Sequence, residues 1–227
     1  MQRMPSDAPD PGYGASGVAA PRVEPADCRA KRGPDDEVKR LLLAGFEEIL
    51  EKGSVEPRVA DIVHRAGLSN KAFYRHFRSK DELILAILEQ GMRRRRRIFD
   101  VRLAELPSAA EKVRVWIRTV QEQALNPAFA EVTRPFCAYQ ARLTEDLGEQ
   151  LWGHTDSLRA PLELALVEGE RNGEFPDIDP QGEAVIIYWL AMGWMQAKVL
   201  QRIVPSRAEA EAVVTFALRS ILPARSG

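Results

Sequence analysis

The chain has 227 residues, of which 45% are hydrophobic and 29% charged, enough for one large globular domain or two smaller ones. Its 32 basic and 33 acidic residues give a formal net charge of −1, which by itself argues against a polyanionic partner. Two cysteines, Cys28 and Cys137, lie far apart without a CxxC pattern, which excludes a disulfide framework and fits a reduced, cytoplasmic chain.

Residues 1–34 hold six prolines and four glycines, with Tyr13 as their one aromatic. Such a segment cannot bury enough apolar surface to offset its ordering entropy, so it is expected to be a disordered N-terminal extension. It also lacks the apolar core of a signal peptide. From Asp35 onward the apolar periodicity is helical and no strand alternation stands out. The first helix is expected over 35–53. It has Asp35, Asp36 and Glu37 in its first turn, an inward stripe of Val38, Leu41, Leu42, Phe46, Ile49 and Leu50, and Gly53 as its stop. A short helix follows at 57–65, with Pro57 in its first turn. Another covers 70–76, with Ser69 as N-cap. Ser79 and Glu82 read as a capping box opening a long helix at 80–103. Five more helices are expected at 108–125, 127–143, 147–171, 180–203 and 207–222, broken by Pro107, Pro127, Gly148, the 172–180 segment and Pro205. The architecture is therefore all-α, with about nine helices. The most apolar stretch, Ala184–Met195, has 12 residues, whereas a membrane span needs roughly 20, so no membrane partner is expected.

Charge is unevenly distributed along these elements. Residues 31–103 carry 17 basic and 12 acidic groups, and residues 104–227 carry 12 and 17: a basic front and an acidic back. The informative stretch lies in the front, Val59–Leu83: VADIVHRAGLSNKAFYRHFRSKDEL. Two short helices meet at Ala66-Gly67-Leu68-Ser69, where Gly67 permits the sharp turn and is expected at positive φ. Ile62, Val63, Leu68, Phe73 and Phe77 can form a small core with the first helix. Asn70, Lys71, Tyr74 and Arg75 are left outside on the second short helix, with Lys80 just beyond. This is a helix-turn-helix, whose second helix enters the DNA major groove.

The sequence here resembles the TetR family of transcriptional regulators. The matching residues are Ala66-Gly67-Leu68-Ser69, Phe73-Tyr74-Arg75-His76-Phe77 and Ser79-Lys80-Asp81-Glu82-Leu83, within a pattern of about 50 residues. The resemblance implies a homodimer, a helix-turn-helix DNA-binding domain at 35–80, and a ligand-binding and dimerisation domain at 81–227. The chemistry agrees. Lys71, Arg75 and Lys80 offer cations to phosphates, Tyr74 and His76 offer neutral donors, and Asn70 and Lys71 can reach base edges. The expected DNA contacts are Arg58, Ser69, Asn70, Lys71, Ala72, Tyr74, Arg75, His76 and Lys80. Many relatives carry a small hydroxyl residue near Arg58, Gly at Lys71, and Thr or Ser at Ala72, so no relative's operator preference carries over.

Most of the aromatic residues lie in the second half. Trp116, Phe136, Tyr139, Trp152, Tyr188 and Trp189 are the candidate lining of a cavity for a largely apolar small-molecule effector. Helices 180–203 and 207–222 are the most apolar pair, and Trp194, Val213, Val214, Ala217, Leu218 and Ile221 are the candidate dimer contacts. The run Arg93–Arg97 begins about 20 Å along its helix from Lys80, too far to share its DNA contact. One of Arg94 and Arg95 fills a gap in that helix's apolar stripe; the run is expected to be a solvated or acid-paired cluster, the alternative being that it anchors an anionic ligand or relays its binding. The three histidines lack ligand-like spacing, and neither a metal nor a cofactor is expected. No nucleophile elbow, P-loop or dinucleotide motif is present, so an enzyme is not expected. The reading is a ligand-responsive DNA-binding regulator, a repressor released from its operator by a small molecule. The alternative is a helical small-molecule- or protein-binding module without DNA binding.

Overall fold

The computed structural model describes residues 34–143 and 148–223, without the side chains of 34 and 140–155. Apart from Pro34, the N-terminal extension lies outside the described residues. Those described form nine α-helices and no strand: α1 (Pro34–Lys52), α2 (Val59–Ala66), α3 (Asn70–His76), α4 (Lys80–Leu103), α5 (Ala109–Leu125), α6 (Pro127–Leu143), α7 (Gly148–Asn172), α8 (Pro180–Gln201) and α9 (Arg207–Ile221). The all-α expectation holds, and the helix ends fall within about two residues of those read from periodicity and punctuation.

Caps account for several of these ends. Ser69, Ser79, Ser108 and Ser206 each accept a hydrogen bond from the backbone N–H three residues on, and Asp179 accepts one from Gln181. Ser206 and Glu209 form a full reciprocal capping box. At α4 the box is skewed: the Glu82 carboxylate accepts from Arg78 N–H at 2.5 Å, one residue ahead of Ser79. Helix α8 stops where Arg202 takes a left-handed conformation (φ 58°) and its N–H turns back to the carbonyls of Lys198 and Val199.

Two apolar cores form. The N-terminal one joins Leu41, Ala44 and Ile49 of α1, Ile62 and Val63 of α2, and Phe73 and Phe77 of the α3 region. Leu83, Ile84, Ile87 and Leu88 from the first turns of α4 complete it, so this core runs past the boundary expected at Lys80. Helices this short are marginal alone, and their stability comes from the packed face. At Gly45 a Cβ would lie 2.9 Å from Leu83 Cδ2 and 3.0 Å from Ile87 Cδ1. The missing side chain is what lets α1 and α4 approach so closely.

The C-terminal core is larger and draws on α4 to α9. Trp116 lies at its centre, fully buried and stacked on Phe99 with ring centroids 5.4 Å apart. Its indole N–H donates to the Leu158 carbonyl at 3.2 Å. Burying such a side chain is worth about 1.5–3 kcal/mol. Helix α6 takes part in both cores: Cys137 belongs to the C-terminal one, while Tyr139 is buried in the N-terminal one and Phe136 packs on it.

The stripe read as a dimer contact on α9 belongs inside the subunit. Val214, Ala217, Leu218 and Ile221 are all at most 4% exposed and pack within the C-terminal core. Val213 and Trp194 are half-buried against it. An amphipathic helix buries its apolar stripe against whatever lies beneath, and here that is α5, tied to α9 by the two hydrogen bonds from Arg118 to Glu211 at 2.8 and 3.0 Å. Other apolar groups of the α8–α9 region remain exposed: Ile186, Trp189, Leu200, Ile203, Val204 and Phe216.

Candidate nucleic-acid interface

Helix α2 has buried Ile62, Val63 and Ala66, and it ends at Gly67 in the left-handed conformation (φ 61°, ψ 40°), as its sequence required. Leu68 N–H returns to Val63 O at 2.8 Å, closing the turn. A second device holds it. The Arg40 guanidinium, reaching across from α1, donates to the carbonyls of Ala66 and, at 3.1 Å, Gly67. Arg65 of α2 donates to Glu48 of α1 at 2.7 Å and also pairs with Glu51. Lys52 bridges Glu48 at 2.9 Å and Asp61 at 2.5 Å. The Lys52 ammonium and the Arg65 guanidinium hold the Glu48 carboxyl below the usual carboxylate range. The scaffold under the turn is therefore tied by charge as well as by apolar contact. Arg40 went unrecognised because an arginine in the first turns of an exposed helix gives no sign that a turn 26 residues away needs donors.

Helix α3 divides the predicted contacts. Asn70, Lys71, Tyr74 and Arg75 are exposed on one face, and Arg58 and Ser69 are exposed beside it. Ala72 is not on this surface: at 3% exposure it packs inward. His76 also turns inward, its Nε2 lying 2.8 Å from the Glu37 carboxylate of α1. Arg75 reaches the same carboxylate at 3.1 Å while its side chain stays largely exposed. The His76 hydrogen bond, followed by the charges of Arg75, His76 and Arg40, keeps the Glu37 carboxyl low against a modest burial effect. Lys80 is half-buried at the start of α4. The Ser69 hydroxyl is engaged as the α3 cap, 3.2 Å from Ala72 N. What remains is a polar and cationic surface carried on one short helix, fixed at one end by the turn and at the other by Glu37.

The predicted effector residues do not form one group. Trp116 and Tyr188 are buried together, with ring centroids 6.0 Å apart. Trp189 points outward at 45% exposure. Phe136 and Tyr139 face the N-terminal core instead. Phe136 stacks on Phe46 of α1 at 6.1 Å, and the Tyr139 hydroxyl donates to Asp81 at 3.2 Å. The side chains of Trp152 and His154 lie outside the described residues. A cleft of about 160 Å³ sits between α1, α6 and the end of α8, lined by Leu50, Gly53, Glu131, Val132, Arg134, Pro135 and Arg202. None of the predicted effector residues lines it. The arginine run also divides. Arg93 pairs with Glu89 at 3.5 Å, and Arg96 pairs with Asp100 at 2.8 Å and donates to Ser157 O at 3.0 Å. Arg94 and Arg97 are exposed, and Arg95 is half-buried.

Residues 41–87 match the family of bacterial regulatory proteins, tetR family. The match ends at Ile87, within the turns of α4 that complete the N-terminal core. An HTH-type transcriptional regulator of Mycobacterium tuberculosis is 34% identical over 74 residues, covering 33% of this chain and 38% of that protein. The HTH-type transcriptional activator FasR of Mycolicibacterium smegmatis is 40% identical over 63 residues, covering 27% of this chain and 29% of FasR. These matches span well under half the length of either relative. Among solved structures, the transcriptional regulator FadR from Bacillus subtilis in complex with stearoyl-CoA superposes with a TM-score of 0.65 at 20% identity, covering 81% of this chain and 98% of that one. The fold is thus shared along most of the chain, while sequence likeness is concentrated in the helix-turn-helix. Residues 41–87 thus carry the helix-turn-helix of the tetR family, set in an all-α fold shared with solved transcriptional regulators.

Proposed function

We propose that this protein is a dimeric, ligand-responsive transcriptional regulator that represses from its operator and is released by a small molecule. The observation that carries DNA binding is the exposed quartet Asn70, Lys71, Tyr74 and Arg75 on a helix whose turn is clamped by Arg40. Preorganised donors lose little freedom on docking. Arg58 and Lys80 flank the quartet and serve phosphates, while Asn70 and Lys71 read base edges. Ala72 and His76 act from behind, the first as packing and the second as a tie to α1. The expected setting is the cytoplasm, where the DNA is.

One head reads a half-site, and two must enter successive major grooves about 34 Å apart. The exposed apolar groups of α8 and α9, Ile186, Trp189, Leu200 and Phe216, are the natural surface for a symmetric contact. This replaces the buried α9 stripe as the dimer face. Residues 81–227 then serve as effector and dimerisation domain, and FadR, a fold relative solved with stearoyl-CoA, supports that assignment.

The test is binding to duplex fragments of the protein's own promoter region, with its salt dependence. Lys71→Ala should lower affinity and relax preference at one base position by about 1–3 kcal/mol. Lys80→Ala should weaken all sequences and flatten the salt slope by about 1. A chain that binds no duplex at low salt would be the helical binding module without DNA recognition. Transcription from the bound promoter fixes the sign, since FasR is named an activator.

A further inference from the structure

The first turn of α1 carries three acids, Asp35, Asp36 and Glu37, where carboxylates meet the positive end of the helix. Glu37 does more than complement that end. It reaches across to the last turn of α3 and meets two consecutive residues there. His76 Nε2 lies 2.8 Å from Oε2, and Arg75 Nη2 lies 3.1 Å from the same oxygen and 3.4 Å from Oε1. The two partners differ in setting. The His76 side chain is 12% exposed and packs inward. That of Arg75 is 61% exposed and shares its face with Asn70, Lys71 and Tyr74, which leaves the guanidinium room for a second acceptor. The His76 hydrogen bond and, after it, the Arg75 charge hold the Glu37 carboxyl below the usual range, so it is an anion at neutral pH.

A carboxylate on the flank of a DNA-facing helix costs affinity, because it repels phosphates and neutralises a cation that would otherwise meet them. The tie to His76 braces α3 and would do so without Arg75. The second contact acts on an exposed guanidinium, and any phosphate that takes Arg75 must outbid Glu37. A phosphate in the right place accepts two parallel hydrogen bonds from the planar fork and wins. A phosphate out of place offers one poor contact and gains little over the carboxylate it displaces. We propose that Glu37 determines specificity through Arg75: it holds the guanidinium as a rival to phosphate and yields it only to a duplex whose base contacts bring a phosphate into register. Discrimination then comes partly from withholding a cation from wrong sequences, at some cost in affinity for the right one. The proposal rests on the reading of α3 as the helix that faces DNA.

The test measures binding of the full-length protein to two duplexes: one that the wild type enriches from a random pool, and one of the same composition in scrambled order. Glu37→Gln removes the charge but keeps an acceptor for His76. It should tighten the scrambled duplex by about threefold or more, with a salt slope steeper by about 0.9 as one more phosphate is neutralised. The enriched duplex should gain less, so the ratio of the two affinities falls. Arg75→Met should weaken the enriched duplex more than the scrambled one, and in that background Glu37→Gln should no longer change the ratio. The proposal is overturned if Glu37→Gln leaves the ratio unchanged, or lowers it as much in the Arg75→Met background. It is also overturned if Arg75→Met weakens both duplexes equally. A Glu37→Gln protein that melts lower and binds both duplexes equally less well makes Glu37 a brace for His76 alone, and overturns it too. Failure of the broader reading looks different: the wild type enriches no duplex and binds none at low salt, and the proposal falls with it.

Discussion

The two cores differ in how completely they satisfy their enclosed polar groups. Around the N-terminal core the inward-reaching charged groups are matched. Arg65 faces Glu47, Glu48 and Glu51, Lys52 joins two carboxylates, Arg40 meets two carbonyls, and Glu37 meets His76 and Arg75. The C-terminal core encloses polar groups that are only partly satisfied. Gln121 is fully buried, with its amide N–H donating to Ala210 O at 2.9 Å while its carbonyl oxygen has no acceptor role filled. Arg159 Nε is also buried without a hydrogen-bond partner among the described residues. A matched frame holds one geometry and so suits a surface that must present fixed donors. An incompletely satisfied core has more to gain from rearrangement, which fits the effector role proposed above for residues 81–227.

That contrast can be tested in order of expected effect. Trp116→Ala should be the most damaging, costing about 3–5 kcal/mol through the cavity it leaves, measured by urea unfolding. A much smaller loss would mean the C-terminal core is loose in its packing as well as its polar pairing. Next comes the matched frame. Glu48→Ala leaves Arg65 and Lys52 without their most buried acceptor and should cost about 1.5–3 kcal/mol, and DNA affinity should fall with it. If stability fell and DNA affinity did not, the turn would be held by Arg40 alone. Gln121→Met replaces a half-satisfied amide by a side chain of similar volume and should change stability by less than about 1 kcal/mol. A larger loss would show that the Ala210 bond outweighs the orphaned oxygen.

Acid gives the smallest effect, and it is directional. The carboxyls of Glu37, Glu48 and Asp61 in the N-terminal frame are all held low, the first by its hydrogen bond to His76 and the others by theirs to Lys52. Glu209 is pulled to about 2 by Lys198 and the Ser206 backbone. A depressed carboxylate stabilises the fold above its unfolded value and loses that contribution as pH falls through the folded value. Stability should therefore hold above pH 4.5 and decline toward pH 2. Amide exchange near pH 3 should show α1 and α2 opening more than α5. Uniform opening would erase the distinction between the two cores.

The helix-turn-helix was legible because its constraints are local. A sharp turn needs Gly67, a short helix needs the Ser69 cap, and an exposed face with Asn70, Lys71 and Arg75 needs a polar partner. The partners of α6 were not legible. Periodicity says that Phe136 and Tyr139 are buried, but not against which neighbour, and two cores compete for them. Helix α8 misled for a related reason. It is apolar nearly all round, so its inward and outward faces look alike, and the neighbouring α9 stripe reads as a contact surface although it is buried within the subunit. Arg95 could be narrowed only to itself or Arg94, because five identical residues give phase and nothing else.

The reach of α4 and α6 into the N-terminal core sets how this protein can be recombined. A head cut at Lys80 would leave behind Leu83, Ile84, Ile87 and Leu88, and the oily surface they cover would meet water. A graft that carries α4 through Leu88 still meets a foreign α6 where Phe46 and Asp81 expect Phe136 and Tyr139. The heritable unit of DNA recognition here is therefore larger than the helix-turn-helix. Chimeras that exchange specificity between relatives should work only when both sides of the α6 seam come from the same parent.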